Sequence, residues 1–317
     1  MNHPEHDQSH AHDCESVCRC CAALAVARAQ SLFDPHPGWH SPLTPGVQRI
    51  NLSHSEDGRE IWAVLGTDWP RMFVQLPAIG AAQAVTFGAG AILSRRLRRV
   101  HFAPAKNGVE CVGDHGRLHL NFERFAFAQA VHLRRAAGHS FGVEFMDSDG
   151  ETMHALMLTH ASDFDAFFAW VRLHQACDSD PDLPFAEAAP SGVESPVPAW
   201  LPCSRQDFTA ALEASIASAA RFRASVANAA VIQVLDLVPT HFIQDRGWTT
   251  ICDGSNCLHL RHDFLVRRDE DSQGQQTSPT EATLGIVGQD GRPSFLLQPA
   301  SSDTARAHQT LGRSPVD

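Results

Sequence analysis

The sequence predicts an α+β protein made of two tandem copies of one β-rich unit. Three pairs of short motifs recur at nearly one spacing along the 317 residues. His101-Phe102 recurs as His241-Phe242 and Leu118-His119-Leu120 as Leu258-His259-Leu260, each 140 residues later, and Asp149-Gly150 recurs as Asp290-Gly291 after 141. One spacing shared by three separate motifs indicates a duplicated unit.

Short apolar runs between Gly or Asn turns predict an antiparallel meander in the first unit. The runs are "AAQAVTF", "AILSRRLRRVHF", "VECVGD", "RLHLNF" and "AQAVHLRR". They are followed by "SFGVEFMDSDGETMHALML", in which two strands flank the hairpin turn Asp149-Gly150. Ahead of them, "IWAVLGTDWPRMFVQLPAIG" from Ile61 predicts a short helical segment.

Helical spacing marks one helix in each unit. Phe164, Phe167, Phe168 and Val171 fall at i, i+3, i+4 and i+7, with Ser162 and Asp165 near the capping positions, so this helix should pack on the sheet. In the second unit the apolar face contains Phe208, Ala211, Leu212, Ser215, Ile216 and Ala219. Strands then resume with "AAVIQVLDLV".

Changes in composition divide the chain into five parts. Residues 1–58 form a His/Cys-rich leader that we expect to be partly disordered, with one helix from about Glu15 to Leu32. The first repeat covers 59–177 and the second 207–300, separated by a Pro-rich acidic linker at 178–206. Residues 301–317 are predicted to be a disordered tail.

Charge and motifs exclude several classes of function. A formal net charge of −11 with scattered basic residues argues against nucleic acid as a partner. No run approaches the roughly 20 apolar residues of a membrane span, and the polar N-terminus does not resemble a secretory signal, which predicts a cytoplasmic protein with mostly reduced thiols. Phosphate-loop, dinucleotide and serine-hydrolase motifs are absent from the sequence.

Two long segments resemble the HemS/ChuX family of haem-utilisation proteins. "LHLNFERFAFAQAVHLRRAAGHSFGVEFMDSDGETMHALML" is similar to the family's histidine-bearing strand, its strand with Arg before a Gly turn, and its "FFDADG" hairpin. In the second repeat, "NAAVIQ" resembles "NPGCIQ", "RGWTTICDGSNCLHLRHD" resembles "GPWLNVLDPDFNLHLRED", and Val266-Arg267-Arg268 falls where the family has "VVRKPT". The resemblance covers about residues 60–175 and 207–298.

The resemblance implies tandem repeats, each a large antiparallel sheet with flanking helices, and haem as the bound cofactor. It implies a role in haem trafficking or hemin transport, with a haem importer or a haem oxygenase as candidate partner. Two alternatives stay open: a haem-degrading enzyme that releases iron, and a scaffold that has lost haem binding.

The resemblance also suggests site residues. His119 is the candidate ligand to haem iron, because a strand histidine has this role in single-domain members, and alternation turns it away from Leu118 and Leu120. His259 follows more weakly from the repeat, with His101 and His241 as further candidates. Arg134 or Arg135 is the candidate partner of a propionate.

The chain departs from the tandem members in its linker. These proteins carry a haem-ligating histidine between the repeats, whereas residues 178–206 contain none. Haem is then either held as in the single-domain members or no longer bound tightly.

The leader is a separate candidate for metal capture, since it contains His3, His6, His10, His12, Cys14, Cys18, Cys20 and Cys21. An incidental polar tail explains the same residues.

Overall fold

The computed structural model describes residues 59–113, 116–135, 138–176, 200–245, 247–254, 256–268, 283–287 and 293–300. The predictions for the leader and its helix, for residues 178–199 of the linker and for the tail lie outside the described residues. In the part that is described, no helix combines the length and the apolar character needed to cross a membrane.

The first half contains nine strands and two α-helices among its described residues. They are β1 (Arg59–Leu65), α1 (Trp69–Gln75), a 3₁₀ turn (Leu76–Ile79), β2 (Gly80–Gly88), β3 (Ala91–Leu97), β4 (Ala103–Ala105), β5 (Gly108–Gly113), β6 (Gly116–Asn121), a 3₁₀ turn (Phe122–Arg124), β7 (Phe127–Arg135), β8 (Gly138–Met146), β9 (Thr152–Ser162) and α2 (Phe164–His174). The segment from Ile61 predicted as helical therefore begins as strand β1, and its helix starts only at Trp69, where the Asp68 carboxylate accepts from the Arg71 backbone N–H.

The second half repeats this order of strands after its own helix. Its described elements are β10 (Trp200–Pro202), α3 (Arg205–Ser218), β11 (Phe222–Ala227), β12 (Val231–Leu237), β13 (His241–Asp245), β14 (Trp248–Cys252), β15 (Cys257–Arg261), a 3₁₀ turn (His262–Phe264), β16 (Val266–Arg268), β17 (Leu284–Val287) and β18 (Pro293–Pro299).

The strands form two nine-stranded antiparallel sheets, and each sheet contains strands from both halves. Sheet A has the order β1-β7-β8-β9-β2-β3-β15-β14-β13, and sheet B has the order β10-β16-β17-β18-β11-β12-β6-β5-β4. Strands β4–β6 of the first half thus extend sheet B beside β12, and β13–β15 of the second half extend sheet A beside β3. The two repeats are thus hydrogen-bonded to each other through the strand pairs β12–β6 and β15–β3.

The pairing registers confirm that the two halves are copies of one unit. Ala82 pairs with Leu97, and Phe222 pairs with Leu237, both 140 residues further on. The exchanged strands match equally well: His119 pairs with Ile232, and its counterpart His259 pairs with Ile92. The predicted α+β class with two tandem repeats is confirmed.

Each half buries its own hydrophobic core on the inner face of the sheets. In the first core, helices α1 and α2 pack with β2, β7, β8 and β9 against the buried leucines of β6. In the second, α3 packs with β11, β12, β17 and β18 against the leucines of β15. Because β6 and β15 belong to the exchanged strands, each core contains side chains from both sheets.

Helix α2 packs as predicted but is capped by a different residue. Phe167, Phe168 and Val171 are at most 1% exposed. The N-cap is Asp163, whose carboxylate accepts from the Ala166 backbone N–H at 2.9 Å, in place of the predicted Ser162 and Asp165. An aspartate at this position satisfies one of the free N–H groups of the first helical turn.

The predicted hairpin at Asp149-Gly150 is present, with a longer connection than a two-residue turn. Residues 147–151 join β8 to β9, and the Asp147 carboxylate accepts from the N–H groups of Asp149 and Glu151. Gly150 has a φ of 78°, which glycine adopts without steric cost. The second copy, Asp290-Gly291, lies outside the described residues.

The prediction of mostly reduced thiols has one exception among the described residues. Cys252 and Cys257 lie directly opposite each other in β14 and β15, with Cα atoms 4.4 Å apart, and form a disulfide bond. Their counterparts in the first half are Val112 and Arg117, so nothing in the repeat pattern indicates this bond. Cys111 is a free, buried thiol within the described residues.

Candidate functional site

His119 lies on the outer face of sheet B, the face that points away from both cores. Its neighbours Leu118 and Leu120 are fully buried in the first core. Since successive side chains of a strand point to opposite faces, the imidazole projects outward and is half-buried. This is the orientation that the sequence predicts.

Apolar and charged side chains surround His119 on this face. Ile232 of β12 and Glu110 of β5 lie directly opposite it on the two neighbouring strands. Ile232 is 48% exposed, and Val112, opposite Arg117, is 72% exposed. Exposed aliphatic side chains on both sides of an imidazole form a surface that a flat apolar molecule can cover.

The electrostatics of the face favour a neutral imidazole. Burial, and then the charge of Arg117, lower the pKa of His119 below its usual range. Arg117 forms an ion pair with Glu110. Within the described part of the chain neither ring nitrogen of His119 makes a hydrogen bond, so a nitrogen lone pair is available to a ligand.

His259 lies at the equivalent place on the outer face of sheet A, but its surroundings differ. Its Nδ1 is 2.9 Å from the Thr250 hydroxyl. Ile92, opposite it, is only 1% exposed and packs with Val85 and Ala155 in a third hydrophobic cluster that Trp248 also contacts. The face around His259 is therefore covered where the face around His119 is open.

The other predicted site residues are distributed over both sheets. Arg134 and Arg135 end strand β7 of sheet A, where they pair with His139 and Gly138. His101 is exposed in the connection between β3 and β4, and its backbone N–H donates to the Cys111 thiol. His241 begins β13 on the same sheet as His259, with its Nδ1 3.0 Å from the Thr240 hydroxyl. Arg134, Arg135 and His241 thus lie in sheet A, whereas His101 lies beside β5, the strand next to that of His119.

Three further histidines lie in β9 and α2; His160 is exposed, whereas His154 and His174 are buried. His174 is 7% exposed and its Nε2 lies 2.6 Å from the Gln75 amide oxygen, because the last turn of α2 packs back onto α1. His154 is fully buried, since β9 lies inside sheet A with both faces covered. Burial lowers its pKa to about 3.

His154 belongs to a buried polar group between the sheets. The Thr86 hydroxyl donates to the Gln233 side-chain oxygen at 2.5 Å and is 3.0 Å from His154 Nδ1. Because that hydroxyl has only one hydrogen, His154 must donate from Nδ1 to it. His154 Nε2 and Gln233 Nε2 are then buried without a hydrogen-bond partner.

The "NAAVIQ" motif joins the two halves. The Asn228 amide donates to the Phe87 and Met153 carbonyls of the first half, both at 2.8 Å. Its oxygen accepts from the N–H groups of Ala230 and Val231. The sequence shows this motif only as a resemblance to the family. Its role in joining the halves depends on the Phe87 and Met153 carbonyls, which the sequence does not identify as partners.

No arrangement typical of a protein-ligated metal occurs in the described residues. Across them there is no group of three His, Cys, Asp or Glu side chains close enough to hold an ion. A metal at His119 would therefore bring most of its ligands with it. The leader's histidines and cysteines lie outside the described residues.

Comparison with known proteins gives a consistent result. Residues 46–174 match the family described as "Haemin-degrading HemS.ChuX domain". No curated protein sequence matches the chain. Among solved structures, holo-PhuS, a heme-binding protein from Pseudomonas aeruginosa, is similar with a TM-score of 0.61 and 17% identity over 76% of this chain and 82% of PhuS.

ChuS, an E. coli heme oxygenase, is similar with a TM-score of 0.60 and 12% identity, over 80% of this chain and 89% of ChuS. At these identities the two structures show the fold. Residues 46–174 thus match the model of the HemS/ChuX family, and the chain shares the two-repeat fold of PhuS and ChuS.

Proposed function

We propose that this chain binds haem on the outer face of sheet B, with His119 as the axial ligand of the iron. The observation that carries the proposal is an outward imidazole without a hydrogen bond, flanked by exposed Ile232 and Val112. A neutral imidazole nitrogen is a common axial ligand of haem iron, and the lowered pKa of His119 keeps it neutral at pH 7. The aliphatic side chains would contact the porphyrin.

The residues present also provide a cation for a propionate. Arg117 lies two residues before His119 on the same face, and its side chain is 55% exposed. Arg223 is held by Asp236 through two contacts of 2.7 and 3.0 Å, and Arg117 is paired with Glu110. Arg117 is the more exposed of the two, and a propionate would replace the Glu110 carboxylate there. The assignment of Arg134 or Arg135 to a propionate stays a prediction, and it would require haem to reach the edge of sheet A.

Haem trafficking is the role that we infer from this site. PhuS is described as a heme-binding protein, and its fold extends over most of this chain. With a single protein ligand and an open face, the site would release haem readily to another protein. The haem importer or haem oxygenase as partner, and the cytoplasmic location, remain predictions from the sequence.

A hemin titration tests the proposal. The wild-type protein should give a Soret shift that saturates with added hemin, and His119→Ala should raise Kd by at least about tenfold, because loss of an axial ligand costs more than ~1.4 kcal/mol. His259→Ala is the matched control, since it removes the repeat-equivalent histidine of the covered face. A free-hemin spectrum throughout, or equal affinity of wild type and His119→Ala, would contradict the proposal.

Haem degradation is a second candidate function, favoured by the likeness to ChuS, described as a heme oxygenase. The haem-loaded protein would be given a reductant in air with catalase present. Loss of the Soret band with release of iron and a bilin would support an enzyme, whereas a stable band would support a carrier. A folded protein without affinity for hemin would indicate a scaffold that has lost the ligand.

A further inference from the structure

Arg95 is a buried cation that no described residue neutralises. It lies on β3 with its side chain on the inner face of sheet A, and it is 6% exposed. Within the described residues it forms neither a hydrogen bond nor an ion pair, and its Nη1 is completely buried. Burial of an unpaired charge costs several kcal/mol, and arginine keeps its proton even where burial lowers its pKa.

Among the described residues, Cys111 is the group whose negative charge could neutralise Arg95. Its thiol does not carry that charge. Its thiol lies on β5 of sheet B and is 6% exposed. Burial raises the pKa of the thiol, an effect that exceeds the opposing influence of Arg95 and of the His101 backbone N–H. The thiol is therefore protonated at neutral pH, and the guanidinium remains uncompensated.

The second repeat shows that the fold does not require a charge here. The counterparts of Arg95 and Cys111 are Leu235 and Ile251, each 1% exposed in the second core. An aliphatic pair therefore fills this position in one repeat, while the other repeat places a cation and a thiol in it. A costly substitution at a position that accepts leucine indicates a function.

A second unsatisfied donor lies in the same row of sheet B as Cys111. Gln233 and Cys111 both pair with Leu118 and so lie in one row on the inner face of sheet B. Gln233 Nε2 is buried without a partner. Thr86, which donates to Gln233, is paired with Leu93 on β3, two residues before Arg95. The inner faces of the two sheets thus carry two buried N–H donor groups, Arg95 on sheet A and Gln233 on sheet B.

We propose that Arg95 binds a small monovalent anion between the two sheets, with the Gln233 amide as a second donor. The ligand is a halide or a carboxylate as small as formate, because the guanidinium fork pairs with such ions and the surrounding core excludes larger ones. The site is separate from the haem site, since Leu118 and His119 point to opposite faces of β6. It does not depend on haem binding.

Thermal unfolding of the full chain in different anions tests this proposal. Chloride, bromide or formate would replace gluconate at constant ionic strength. Above Kd the wild-type midpoint should rise with the logarithm of the anion concentration, by roughly 5 °C at a hundredfold excess over Kd. Arg95→Leu should show no such rise. Arg96→Leu, at the next residue on the opposite face of β3, should respond like the wild type.

A crystallographic measurement on the wild type keeps the test independent of how Arg95→Leu folds. Crystals grown in bromide should show an anomalous peak within hydrogen-bond distance of Arg95. A wild-type midpoint that does not depend on the anion, or bromide crystals without that peak, would overturn the proposal. Both measurements are made without hemin, so their outcome does not affect the assignment of His119 as a haem ligand.

Discussion

Replacing His154 with phenylalanine is expected to make the protein less sensitive to acid. The pKa of His154 is about 3 in the folded protein, against 6.5 for an unperturbed histidine. Between these values the unfolded chain binds a proton that the folded protein does not, so folding loses stability as the pH falls from 6.5 towards 3. Phenylalanine removes this difference and occupies the equivalent position, Phe295, in the second repeat.

The size of the effect follows from the shift. At pH 5 the gap from 6.5 is 1.5 pH units, and each unit corresponds to about 1.36 kcal/mol, so His154 alone accounts for about 2 kcal/mol of destabilisation relative to pH 7. Burial also lowers the pKa values of His119, His174 and His262. Only the difference between wild type and variant therefore isolates His154.

Urea unfolding at pH 7 and pH 5 measures that difference. The loss of unfolding free energy between the two pH values should be about 2 kcal/mol smaller for His154→Phe than for the wild type. His160→Phe is the matched control, because His160 lies on the same strand and is exposed. Equal losses in wild type and His154→Phe would refute the idea that His154 is buried and neutral.

Two further predictions concern the joining of the halves. Asn228→Ala removes two hydrogen bonds to carbonyls of the first half and two within its own turn. It should lower the unfolding free energy, measured in urea, by about 2–4 kcal/mol. A loss below ~1 kcal/mol would contradict the role of Asn228 in joining the halves. Gly116→Ala would place a Cβ 2.2 Å from the Val234 carbonyl oxygen, separating β6 from β12. It should lower the thermal midpoint more than Gly66→Ala, whose Cβ would meet its nearest atom, the His174 carbonyl oxygen, at an ordinary contact distance of 3.7 Å; equal midpoints would argue against this pairing.

The sequence predicts the strands and the repeat better than the partners of the strands. Alternation in "RLHLNF" is sufficient to orient His119, because only one face of β6 contacts a core. The same pattern does not show that β6 pairs with β12 of the other half, since a strand's alternation records which side is buried and not which edge is adjacent. The exchange of strands was therefore not predictable.

His154 shows where alternation fails. Strand β9 lies between β8 and β2 and is covered on both faces, so its sequence is a continuous apolar run interrupted by a histidine. In such a run a polar residue has no exposed face to occupy. The second repeat does predict that His154 is buried, because Phe295 occupies the equivalent position there and lies in the core.

The differences between the repeats separate function from fold. Positions that the fold requires are similar in both halves, as in the leucines beside His119 and His259, which are all fully buried. Ile232 is exposed where Ile92 is buried, so only the first repeat's histidine lies on an open face. Arg95 likewise differs from Leu235 at a position that is buried in both halves. The duplication thus provides an internal control. The same fold forms with either residue at each of these positions, so the fold does not require the exposed isoleucine or the buried arginine. Binding of a ligand gives a reason for them.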